Sequence, residues 1–145
     1  MKRAMQALRR DWGWTGVSFE DIIAVSPMGH VLVADTAGAI HYLDPETREL
    51  IRLGSEAQAA QYMADPEVAC VWRAEALVAA ARERLGAPED GEVYTRTPEA
   101  LIAGDYAHEN LIRLPLAELL SFSGQVACQT QDLPEGTPIQ LKVPN

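Results

Sequence analysis

The sequence predicts a single α+β domain in which an antiparallel β-meander packs against several helices. Three observations carry this. Short apolar or alternating runs separated by turn residues crowd into the stretch before Ser55. Longer stretches with apolar residues at helical spacing follow, several of them opened by a capping residue. The 145 residues match one ordinary domain, with no internal repeat, low-complexity tract or linker.

Residues 1–10 predict a short helix, with Met5 and Leu8 three apart on one face. Residues 11–18 read as a loop in which Trp12 and Trp14 cover an edge of the core. Ser18 is placed to cap a short helical turn at Phe19-Glu20-Asp21, after which Ile22 to Val25 is extended. His30 to Asp35 and Ala39 to Asp44 flank Thr36-Ala37-Gly38 as a hairpin, with Gly38 available for positive φ. Asp44-Pro45-Glu46-Thr47 turns the chain. Glu49 to Leu53 returns as a third strand, with Leu50 and Arg52 on one face and Ile51 and Leu53 on the other.

Ser55 caps a helix from Glu56 to Met63, and Asp65-Pro66 starts another. That second helix runs to Leu85 with a bend near Trp72-Arg73, and Gly86 stops it. Glu92 to Arg96 is a short strand, residues 97–109 an irregular loop with a helical turn near Ala100, and Asn110 to Leu114 a strand. Pro115 opens a helix to about Gln129, with Leu116, Leu119, Leu120, Val126 and Ala127 as core candidates. Gly124 weakens its middle by about 1 kcal/mol relative to alanine, which predicts a break there. Leu133-Pro134-Glu135-Gly136 is a turn, and Ile139 to Val143 alternates as a last strand.

The formal net charge of -9 argues against nucleic acid or an anionic membrane as partner, since both attract basic proteins. The basic residues at the N-terminus have no apolar stretch behind them, so they do not form a signal peptide. No run reaches the length of a membrane span. These features predict a cytoplasmic protein. Cys70 and Cys128 stand far apart, each in an apolar helical context, and are expected to pack as small hydrophobes.

Catalytic signals are absent. There is no G-x-S-x-G elbow, Walker A loop or G-x-G-x-x-G. The hairpin sets His30 opposite Asp44 and His41 opposite Val33, so the two histidines are not cross-strand partners; they read as surface or edge-strand residues without metal. His108 beside Glu109 points to no acid–base pair, because neighbours on an extended segment face opposite ways. No enzyme, cofactor or metal is expected. Charge is distributed more tellingly. Residues 86–110 hold six acids (Glu89, Asp90, Glu92, Glu99, Asp105 and Glu109) against one base, Arg96. Residues 115–136 hold Glu118, Asp132 and Glu135 and no base. Such a face speeds association with a basic partner and rejects wrong ones.

Several runs in fixed order carry a family resemblance. They are Tyr42-Leu43-Asp44 closing the hairpin, a helical middle ending near Trp72, Tyr94 with Pro98, and Gly104-Asp105-Tyr106 leading to Glu109-Asn110-Leu111. Phe122-Ser123-Gly124-Gln125-Val126 and Leu133-Pro134-Glu135-Gly136-Thr137 follow. From His30 onward the chain resembles the immunity proteins of type VI secretion DNase effectors, in particular the carboxy-terminal domain that often follows a GAD-like domain. It departs from that pattern at Ala103, where a first glycine is usual, and residues 1–29 are expected as a helix and loop extension in place of the GAD-like domain. The resemblance implies a non-catalytic protein that binds a cognate toxin, a nuclease with a basic groove, and occludes its active site. Glu89, Asp90, Glu92, Tyr94, Asp105, Tyr106, Glu109, Asp132 and Glu135 are the candidate contact residues, the two tyrosines either as anchors or packed beneath the loop. The alternative is a stand-alone ligand-binding or regulatory module, which would need a deep apolar pocket. A hydrolase would need His108, Glu109 and another carboxylate in one cleft.

Overall fold

Ala4, Met5, Ala7 and Leu8 recur at helical spacing and form the buried face of helix α1 (Lys2–Asp11). The helix belongs to a computed structural model that describes residues 1–103 and 107–131. After a 3-10 turn at Gly13–Thr15 come strands β1 (Phe19–Val25), β2 (Val31–Asp35), β3 (Ile40–Asp44) and β4 (Glu49–Gly54). They pair antiparallel in the order β1-β2-β3-β4, so the meander has one strand more than expected.

The added strand includes Phe19-Glu20-Asp21, where the sequence suggested a helical turn. Phe19 pairs with Asp35 and Ile22 with Val33, and both apolar side chains enter the core. The Ser18 carbonyl accepts a bond from the Thr36 amide (2.9 Å). A lone helical turn fixes several dihedrals for one hydrogen bond, whereas the ladder to β2 gives one bond after another. The hairpin stands as read: Val33 faces His41, and Gly38 has φ +87°. Asp35 Oδ1 accepts from the amides of Ala37 and Ala39, both at 2.9 Å.

The helix starts also follow local chemistry. Helix α2 (Glu56–Met63) opens on a capping box, in which Ser55 Oγ accepts from the Gln58 amide and Gln58 Oε1 from the Ser55 amide. Helix α3 (Pro66–Arg73) begins at Asp65, whose Oδ1 accepts from the Glu67 amide at 2.9 Å. The expected bend is a full stop. Ala74 adopts φ 44°, ψ 47°, and α4 (Glu75–Leu85) starts afresh. On α3, Val68 and Trp72 lie one turn apart on the shielded side, which leaves Cys70 exposed rather than packed; Cys128 is half-buried.

Strand β5 (Glu92–Arg96), helix α5 (Pro98–Ala103), a 3-10 turn at His108–Asn110 and strand β6 (Leu111–Pro115) follow, with β5 and β6 paired as a separate antiparallel ribbon. Helix α6 (Leu116–Thr130) is the last described element; the expected turn at residues 133–136 and strand at 139–143 lie outside the described residues.

The core forms where α1 and α6 meet the sheet. Leu8, Trp12, Phe19, Val33, Leu43 and Leu120 are among its members, so residues 1–29 contribute a helix and a strand to it. Trp12 is fully buried and its indole Nε1 donates to the Leu120 carbonyl (2.9 Å), whereas Trp14 is exposed. Helix α6 runs unbroken through Gly124. A Cβ there would stand 2.5 Å from the Asp11 carbonyl oxygen and 2.8 Å from the Trp12 ring. The glycine thus serves close helix contact, and packing offsets its propensity cost. Gly124→Ala tests the balance. Propensity alone would add about 1 kcal/mol of stability; the clash is expected instead to remove about 1–3 kcal/mol, read as a lower urea midpoint at unchanged m value.

Candidate partner interface

The acids nominated from the sequence divide between two places. Glu89 and Asp90 are exposed in the loop between α4 and β5, and Glu92 begins β5. Glu92 is engaged: its Oε1 accepts from the Glu89 amide at 2.9 Å and lies 3.8 Å from Arg113 Nε. Arg113 Nη1 also donates to the Ala87 carbonyl at 2.7 Å. A base therefore sits amid these acids. A count ending at Asn110 misses Arg113, which the β5–β6 register brings beside Tyr94. Glu109 is exposed at the other end of the ribbon, where Arg96 pairs with Leu111 and the Thr97 amide donates to the Asn110 carbonyl. Four residues of strand, roughly 13 Å, separate the two ends. Asp105, Tyr106, Asp132 and Glu135 lie outside the described residues.

Tyr94 is corrected as an anchor. It is 1% exposed, packed with Met28, Ala81 and Leu111 beneath α4, and its hydroxyl donates to the Gly86 carbonyl. A phenol inside a core needs such a partner, and this one ties α4's end to the ribbon. Arg96, the base counted against six acids, is also buried; its guanidinium pairs with Glu46 in the β3–β4 turn. That ion pair brings the Glu109 end of the ribbon to the β3–β4 turn.

The two histidines are not on the surface. His30 is 3% and His41 4% exposed. His41 Nε2 lies 2.8 Å from Asp35 Oδ2, and this bond holds the Asp35 carboxyl below its ordinary value. His30 Nδ1 lies 2.7 Å from the Tyr42 hydroxyl, and its Nε2 faces Asp44 at 3.7 Å. A proton on Nε2 leaves Nδ1 to accept from the phenol. Burial pushes the His30 ring below its ordinary 6.5 against the pull of Asp44 and Glu46. Burial, then Asp44 and Tyr62, raises the Tyr42 phenol far above its usual value. Among the described residues no three His, Cys, Asp or Glu side chains gather to hold a metal.

Tyr42 belongs to an acidic groove that the sequence reading did not find. Its ring meets those of Tyr62 and Trp72 edge-on, at 6.0 and 5.7 Å between centroids. The groove holds about 280 Å³ between β3, β4 and the α2–α3 pair, and Asp44, Glu49, Ile51, Glu67 and Val71 contribute to its walls. The alternation of β4 put Ile51 on one face, but only the pairing of Ile51 with Tyr42 and the position of α3 reveal what it flanks.

Among the described residues no helix is long and apolar enough to cross a membrane. Residues 57–127, just under half of the chain, match the family model described as T6SS immunity protein Tdi1, C-terminal. The match runs from α2 nearly to the end of α6. No curated protein gives a significant match to the chain.

The buried His30 sets a pH dependence. The folded chain takes up the His30 proton less readily than the unfolded chain. Stability is therefore complete above about pH 6.5 and declines as pH falls below it, until the folded ring itself titrates. The depressed Asp35 carboxyl contributes a separate loss only below about pH 3.8. The thermal midpoint is expected to drop between pH 7 and about pH 5, and to drop less in His30→Asn, whose Oδ1 takes the place of Nδ1 and can still accept from Tyr42.

Proposed function

We propose, from the match of residues 57–127 to the family model described as T6SS immunity protein Tdi1, C-terminal, that the chain binds a cognate DNase toxin and silences it by covering its active site. The family match is the observation that carries this reading. Net charge supports it: at -9, the chain complements the basic groove a nuclease needs for phosphates. The exposed Glu89 and Asp90 at one end of the ribbon and Glu109 at the other are the carboxylates we assign to that groove, with Asp105, Asp132 and Glu135 added on charge alone. Binding of this kind needs no chemistry from the chain, and it belongs in the cytoplasm of the toxin-producing cell, where the toxin is made.

Co-expression with the polypeptide of the adjacent reading frame tests the reading. The expected result is a complex that co-purifies and leaves plasmid DNA intact, while the partner alone degrades it. An uninhibited nuclease in the complex would refute occlusion. Within an inhibited complex, Glu89→Lys, Asp90→Lys and Glu109→Lys together should weaken affinity at least tenfold, about 1.4 kcal/mol, with the thermal midpoint nearly unchanged. Unaltered affinity at moderate salt would move the interface elsewhere.

A further inference from the structure

The groove between β4 and α3 has features that the immunity reading leaves unused. Its floor is aromatic: Tyr42 is buried and Tyr62 half-buried, with their rings 6.0 Å apart at 71°. Its rim is apolar, since Ile51 is 38% and Val71 55% exposed, two of the few large hydrophobic side chains left in solvent. Its charge has one sign. Among the described residues Asp44, Glu49 and Glu67 line it, and no Lys or Arg does. Asp44 is occupied by the Glu46 and Thr47 amides, but the Glu49 and Glu67 carboxylates have no hydrogen bond or ion pair among the described residues. Finally, β4 is an edge strand of the sheet among the described residues.

Apolar rims exposed beside unpaired carboxylates fit a polypeptide better than a free cation, because an ion gains nothing from Ile51 and Val71. About 280 Å³ is below the usual size of a small-molecule site and suits one long side chain. Arginine fits the chemistry best. Its planar guanidinium stacks on tyrosine faces and presents a fork of donors to carboxylates, while lysine offers only a point charge. The groove also adjoins the surface already assigned. The β3–β4 turn on its wall carries Glu46, which pairs with Arg96 at the Glu109 end of the ribbon.

We propose that this groove receives an arginine, flanked by apolar residues, from the toxin polypeptide, and so forms a second anchor of the inhibitory complex. The proposal rests on the immunity reading, and the experiment separates the two. The purified chain is titrated calorimetrically with the adjacent-frame polypeptide carrying an inactivated nuclease centre. Glu49→Lys with Glu67→Lys is expected to weaken binding at least tenfold and Val71→Asp at least fivefold, each with an unchanged thermal midpoint. Glu49→Gln with Glu67→Gln guards against a folding artefact and should give an intermediate loss that shrinks as salt rises. If the wild type binds and both glutamate variants stay within twofold of it, the groove proposal is overturned and immunity stands. If the wild type forms no complex, both fall. A concentration-dependent dimer of the chain alone, dissolved by Val71→Asp, would show a second copy in the groove and overturn the proposal as well.

Discussion

Helix α1 lies so close to α6 that one methyl group at position 124 would meet the Asp11 carbonyl oxygen at 2.5 Å. This approach brings the Trp12 indole to the Leu120 carbonyl and seals the tryptophan from water. Helix α6 is also gripped elsewhere. A Cβ at Gly29, which has φ +82°, would stand 2.5 Å from Leu119 Cδ2 and 3.2 Å from Val93. Two glycines thus let α6 sit against α1 and against the β1–β2 turn. One turn along the same helix, Ser123 Oγ donates to the Pro45 carbonyl. That bond steadies the β3–β4 turn, from which Glu46 reaches Arg96. The ribbon, the sheet and α1 are therefore referred to one helix, α6.

What could be read from the sequence was local. Ser55 with Gln58, Asp65 with Pro66, and Gly38 in the hairpin each act within a few residues, so the α2 start, the α3 start and the β2–β3 register were legible. What failed was decided by distant partners. Phe19 is extended because Asp35 is available to pair with it. Gly124 is helical because α1 needs its missing side chain. Tyr94 is internal because α4 folds over it. His30 and His41 are the local exception: they are buried against Tyr42 and Asp35, partners that the hairpin itself supplies.

Charge shows the same division. The acidic excess of residues 86–110 is real as composition, yet the fold removes Arg96 from the surface, inserts Arg113 among the acids, and parts Glu89 and Asp90 from Glu109. Conversely, Glu49 and Glu67 are ordinary isolated acids in the sequence and line one groove in space. A run of like charge along the chain is thus a poor guide to which charges share a surface in space.

The bond from Trp12 to Leu120 spans 108 residues. Translation proceeds from the N-terminus at roughly 5–20 residues per second, so the indole waits roughly 5–20 s for its acceptor to be made. Until then α1 and the four-stranded sheet lack the helix that closes their core, and pairings this remote are slow to form in any case. The nascent chain thus gains its full native core only after α6 has left the ribosome. Under the proposed immunity function, protection would depend on the order and timing of synthesis as well as on affinity.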